Sequence, residues 1–293
     1  MKKLFYLLCC MFAVVVVSCE QPESDYPSEP NNPSGPSDSE EPVNPNDTPQ
    51  GFVAKPFSVS ASKTVTFSPG NLQYHAANGE WRFAPTQLDY VGEGNTYISS
   101  TYNGWIDLFG WGTGNNPTSK STDNNDYQSF VDWGVNKIGN DAPNTWRTLT
   151  SDEWEYIINN RSNASNLKGV AQVDGVNGLI LLPNDWQCPN GVTFKSGFHN
   201  DSGAEYYAVY QSFSASDWAK LETAGAVFLP AAGYYRGGSS VGRIQGRGSL
   251  WSATDNSGDN AYILEFISAG AGIGYYDCFI GYSVRLVQDN KNE

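Results

Sequence analysis

The chain has 293 residues, 39% of them hydrophobic and 16% charged, and a formal charge of −14. Two lysines sit in the first three residues and eight carboxylates with no base fill the proline-rich run that follows the leader, which leaves about −8 on the remainder. No basic footprint for a phosphate backbone exists, so nucleic acid is excluded as a partner.

Met1-Lys2-Lys3 opens the chain, and the apolar run LFYLLCCMFAVVVV follows. The run is too short and too early for a stable membrane span. It ends in Val16-Val17-Ser18-Cys19, a small residue before cysteine, which is the bacterial lipoprotein signal pattern. The expectation is a signal peptide over residues 1–18, lost with Cys9 and Cys10, and a lipid anchor on Cys19 that holds the protein at a membrane. Residues 19–50 then form a linker with eight prolines and eight acidic residues, unable to build a core. Glu20, Glu23 and Asp25 resemble the export signals of Bacteroidetes surface lipoproteins, which implies an outer-membrane lipoprotein displayed on the cell surface.

Residues 51–293 carry the folded part, a length within range of one hydrophobic core. Phe57 to His75 alternates and turns at Pro69-Gly70, which predicts strands. Gly79 to Ala84 predicts another after the Asn78-Gly79 turn. Trp105 to Gly114 is aromatic and glycine-rich, and Pro117 to Phe130 is polar loop. Trp146 to Arg161 holds the sharpest helix signal. Thr150 and Glu153 form a T-x-x-E capping box, and Leu149 is placed to staple onto Trp154. Trp154, Ile157 and Ile158 share a face, and the helix should stop near Asn159 to Arg161. Gly178 to Pro183 reads as a central strand. Ser214 to Gly225 reads as a second short helix with a glycine stop. Ala226 to Gly233 reads as a strand into a tight loop, Tyr234 to Ser249 as a long glycine-rich loop. Ser249 to Thr254, Ala261 to Phe266 and Tyr282 to Gln288 read as closing strands. Few short helices among many short strands predict an α+β domain.

The order WRTLTSDEW, GLILLPNDW, AVFLPAAGYY, LWSATDNSGDNAYILEF and GYSVRLV resembles the C-type-lectin-like domains of Bacteroidetes and Fibrobacter surface proteins, the latter of the major paralogous type. More distantly it is similar to the formylglycine-generating-enzyme group. The resemblance covers about Phe57 to Gln288. It implies a C-type-lectin-like fold, with short helices beside a small twisted antiparallel sheet and long irregular loops. It implies that Leu149, Thr150, Glu153 and Trp154 are architectural, and it implies function only weakly, since such folds host binding and chemistry alike.

Formylglycine-generating enzymes hold copper on two close cysteines near the C-terminal end. Here Cys278 has no neighbour of that kind. The ergothioneine-synthesis relatives use several histidines, and this chain has only His75 and His199. That inventory predicts no catalytic metal and no resident cofactor. Asp255 to Asn260 has the oxygen-rich look of a calcium loop without the downstream glutamate of an EF-hand. Cys188 and Cys278 have two alternatives, a disulfide or two separate thiols. Abundant carboxylates leave a glycoside-hydrolase pair open. Arg236, Arg243 and Arg247 read as a solvated loop. Tyr234, Tyr235, Arg236, Tyr275 and Tyr276 are residue types enriched in recognition patches and predict one exposed surface for a glycan or protein ligand. The reading is a recognition or adhesion module, against a carbohydrate-active or other hydrolytic enzyme, or a structural surface protein without a small-molecule ligand.

Overall fold

Residues 52–237 and 240–291 are described by a computed structural model. The leader, Cys19 and the acidic linker lie outside the described residues, as do Gly51, Gly238, Ser239, Asn292 and Glu293. The domain is α+β, built from small and mostly antiparallel sheets with a few short helices.

Three helices carry regular α geometry among the described residues: α1 (Ser151–Glu155), α2 (Glu205–Tyr210) and α3 (Ala215–Thr223). The capping box at α1 forms as expected. Thr150 Oγ1 accepts from the Glu153 amide at 3.2 Å, and Glu153 Oε2 accepts from the Thr150 amide at 2.9 Å. Arg147 grips the same carboxylate through both terminal nitrogens, at 2.7 and 2.8 Å. Burial works to lower the Arg147 pKa, but its bonds to Glu153 and Asp289 outweigh it and hold the guanidinium above its ordinary value. Leu149, Trp154, Ile157 and Ile158 are all buried in one cluster, so the apolar face is the one the spacing predicts. The regular helix is shorter than expected. After Glu155 the chain widens into a π-helical turn over Tyr156–Asn160 and leaves the helix at Arg161. Helix α3 is capped by Ser214, which accepts from the Asp217 amide at 3.2 Å, and ends before Gly225 at φ +97°.

One four-stranded antiparallel sheet runs in the order Phe57–Ser58, Thr64–Phe67, Leu286–Asp289, Arg147–Thr148. It seats Thr64–Phe67 between the first and last strands of the domain, with Phe57 opposite Val65 on one side and Val287 opposite Phe67 on the other. A second sheet runs Val227–Pro230, Val176–Leu181, Lys168–Val173, Ser212–Phe213, its last pair parallel. Val176–Leu181 is internal to it, and its near-continuous apolar run fits a strand buried on both faces. Two short sheets complete the set and feed a common core: Glu80–Phe83, Leu72–His75 and Trp105–Ile106, and the pair Tyr234–Tyr235 with Val241–Gly242.

The meander Gly248–Asn256, Asn260–Ile267, Gly270–Asp277 divides the interior. Alternation along its strands sends side chains to opposite faces. Trp251, Ala261 and Ile263 join a core with Leu72, Phe109 and Trp133. Leu250, Leu264 and Phe266 join the core that holds Phe67, Trp154 and Leu179. A third cluster lies where Ile180 and Ala171 meet Trp218 and Leu221 of α3.

The expected strand at Tyr282 to Gln288 is shorter than its apolar pattern. Only Leu286–Asp289 joins a ladder, and Tyr282 and Ser283 make isolated bridges to Phe109 and Leu250. Lys168–Val173, Gly270–Asp277 and α2 went unread in the sequence. Glycine lowers strand propensity, so GAGIGYYD looks like loop; a two-residue turn and full pairing with Asn260–Ile267 make it a strand.

Candidate functional site: a glycine-floored trough on the meander

Gly270, Gly272, Gly274 and Tyr276 alternate along one face of the last meander strand. A Cβ at Gly270 or Gly272 would meet nothing within 4 Å, and one at Gly274 would come no closer than 3.4 Å to the Tyr276 ring. The missing side chains leave an open trough of about 320 Å³ with bare backbone as its floor. Glu265, directly across from Gly272, lines it, and Tyr276 closes one end.

The lining carboxylate, Glu265, is one half of an ion pair. Arg247 donates through Nη2 to Glu265 Oε2, and its Nε donates to Ser249 Oγ at 3.2 Å. The same guanidinium lies 4.8 Å from the Tyr276 ring centre and 5.7 Å from that of Tyr234. Tyr282, fully buried, supports both tyrosines from below at ring-centre distances of 6.3 and 6.0 Å, and Trp251 supports Tyr282 at 4.9 Å. Burial raises the Tyr282 pKa, which keeps its hydroxyl neutral. The arrangement offers an aromatic face, a fixed positive and a fixed negative group, and peptide backbone that a flat ligand can approach closely.

The residues chosen from sequence divide in three. Tyr276 lines this site, and Tyr234 stands behind it, joined through the Arg247 guanidinium. Tyr275, 59% exposed, points to the opposite face, where it packs edge-on to Tyr262 at 6.1 Å. Strand alternation separates it from Tyr276. Tyr235 corrects the expectation of one exposed patch. It is 4% exposed and belongs to the meander's first core. Arg236 is exposed but turned to Asp277, 3.5 Å away, and to the Phe279 ring. The arginine trio is likewise more than a solvated loop. Arg243 and Gln245 sit at φ +61° and +63° in a tight turn, and Arg247 is a mostly buried ion-pair member. Sequence reasoning missed Arg247, Glu265 and the three glycines. The readable signal was glycine at every second position leading into tyrosine, a strand with one bare face.

Cys188 and Cys278 are not bonded. Cys188 is exposed on a loop, its Sγ 3.4 Å from the Val192 carbonyl, whereas Cys278 is buried in the core. Burial, with Asp255, Asp259 and Asp277 adding to it, pushes the Cys278 thiol up to about 12. Asp255 to Asn260 forms the first meander turn. Asp255 Oδ1 is occupied by the Gly258 amide at 3.0 Å, and Gln128 Nε2 donates to the Gly258 carbonyl at 3.0 Å. Among the described residues no group of three or more His, Cys, Asp or Glu is placed to hold a metal ion. His75 packs against Trp105, and His199 stacks on Tyr206.

Two carboxyls titrate above their ordinary range. Burial pushes Asp107 up to about 6 against hydrogen bonds from Asn95 and Val91, and burial raises Glu222 against a bond from Gln87. Both are absorbed in internal networks, and neither lines the trough. No helix among the described residues is long and apolar enough to cross a membrane. No protein-family model matches the chain, and no curated protein or solved structure is similar to it.

Proposed function

We propose that this domain is a non-enzymatic recognition or adhesion module of the cell envelope that takes a glycan or protein ligand in the trough. The supporting observation is a floor of bare backbone lined by Tyr276 and Glu265, with Arg247 paired to Glu265 and set between Tyr276 and Tyr234 behind them. Sugar rings and flat protein surfaces both suit an aromatic face beside paired charges. The sheet-and-short-helix architecture supports a C-type-lectin-like fold as its frame. The signal pattern ending at Cys19 and the acidic linker support a lipid-anchored protein on the outer membrane. Mass spectrometry of the membrane-extracted N-terminal peptide tests the anchor, and an unmodified Cys19 removes it.

A glycan and protein array run with wild type, Tyr276→Ala and Gly272→Val tests the site. Loss of one aromatic anchor should weaken binding roughly tenfold or more. A Cβ at 272 meets no atom within 4 Å, so valine there should enter the trough and do the same. A ligand bound equally by all three proteins moves the site elsewhere. Turnover of a glycan by the purified protein replaces binding with catalysis.

A further inference from the structure

The last meander strand has an undefended edge. Ile267 and Gly270 close the two-residue turn at Ser268-Ala269, so they form a hydrogen-bonded pair. Alternate residues follow that phase. Gly272, Gly274 and Tyr276 therefore bond inward to Glu265, Ile263 and Ala261. Ala271, Ile273 and Tyr275 turn their amides and carbonyls outward, and no backbone group meets them among the described residues. The other edge of the meander is covered. Ser283 donates to the Ser249 carbonyl at 3.2 Å and accepts from the Trp251 amide at 3.1 Å, and Leu149 accepts from Ala253 at 2.8 Å.

Edge strands are normally protected by charges, proline or a bulge. Gly270 to Tyr276 contains no proline and no charged residue, and its register with Asn260–Ile267 is unbroken. A pairing surface left open in this way fits a strand of matching shape.

We propose that this edge pairs antiparallel with the same strand of a second copy, about a two-fold axis at Ile273. The inference rests on the reading of the trough as a recognition surface and names its occupant. The argument for self-pairing is the pattern of sizes. With Ile273 facing itself, Tyr275 lies opposite Ala271, Tyr276 opposite Gly270, and Gly274 opposite Gly272. Every ring meets a small residue. Nothing within 4 Å surrounds a Cβ at Gly270, so the partner's Tyr276 enters open space. Asp277 falls opposite Ala269, so no like charges face each other. The exposed Tyr275 and the outward main-chain groups of Ala271, Ile273 and Tyr275 all gain partners, and the isologous contact closes without leaving an edge for a third copy.

The full-length chain in excess detergent, followed by sedimentation velocity and native mass spectrometry over a concentration series, reads the outcome. Wild type should dimerise. Ala271→Pro keeps a Cβ, removes an outward amide and puts its ring in the partner's path, and Ile273→Lys sets two like charges on the axis. Each should raise the dimer dissociation constant roughly a hundredfold or more while the thermal midpoint of Ala271→Pro stays near that of wild type. Ile273→Cys in a Cys188→Ser background should cross-link with a short bifunctional thiol reagent, and the Cys188→Ser parent should not. A monomeric wild type, or a dimer that survives both substitutions and fails to cross-link, overturns the proposal. A monomer that still loses an array ligand on Tyr276→Ala overturns self-pairing alone and leaves the recognition reading standing. A dimer broken by Ala271→Pro, with array ligands indifferent to Tyr276→Ala and Gly272→Val, supports self-pairing and removes the array-ligand reading.

Discussion

Gln87→Ala should cost more stability than any other single polar truncation in this domain. The Gln87 amide is a buried junction with four bonds. Its Oε1 accepts from Arg285 Nη2 at 2.6 Å and from the Phe228 amide at 2.9 Å, and its Nε2 donates to Glu222 Oε1 at 2.9 Å and to the Ala226 carbonyl at 3.2 Å. Two bonds involve charges, worth about 1.5–3 kcal/mol each, and two are neutral, worth about 0.5–1.5 kcal/mol each. Water entering the vacated space restores part of this, so the lower end of the range, about 4 kcal/mol, is the expected loss. For a domain of this size that is a fall in Tm of roughly 8–16 °C. Arg285 is fully buried, and burial drags its pKa down to about 9, so its charge is itself costly to keep. Arg285→Met should therefore cost less than Gln87→Ala, and the double variant Gln87→Ala/Arg285→Met should be more stable than the sum of its singles by about 1–2 kcal/mol. Urea unfolding of the four proteins measures the cycle. A Gln87→Ala loss below about 1 kcal/mol, or additivity within about 0.5 kcal/mol, would refute the view of Gln87 as the group that makes this buried charge tolerable.

Asp107 holds its proton to about pH 6 when folded and to about pH 4 when unfolded, so the folded form binds more protons in between. Stability should fall as pH rises through that window, by at most about 3 kcal/mol, and Asp107→Asn should flatten the fall in denaturant titrations across it. Thr150→Ala removes the oxygen that accepts from the Glu153 amide and should cost about 1 kcal/mol in the same assay, with Thr150→Ser recovering most of it.

Local chemistry was the legible part. The box of Thr150 and Glu153 and the spacing of Trp154, Ile157 and Ile158 decide their geometry within a few residues, and so could be read directly. The serine start and glycine stop of α3 belong to the same class. Gly270–Asp277 was illegible because its strand state comes from a partner earlier in the chain, against its own propensity. The site suffered for the same reason. Tyr275 and Tyr276 are neighbours in sequence and opposites in a strand, and Tyr235 is drawn inward by packing that no local pattern records. Arg247 and Glu265 lie on different elements, and only the register of the meander brings them together.

The sheet that seats the first strand and the last on either side of Thr64–Phe67 has a consequence for how this unit can be moved between proteins. Asn290 ties the end of the last strand to that shared middle strand, its amide donating to the Thr64 carbonyl at 3.0 Å and its side chain bonded to Thr64 and Thr66. Flanking sequence on either side therefore departs from neighbouring points. A short bridge could join those points, with new ends opened at the exposed Asp174-Gly175 hairpin tip, and the reordered chain would keep the same pairings. The same closeness would let the whole domain be spliced into a surface loop of another protein without prying that loop apart.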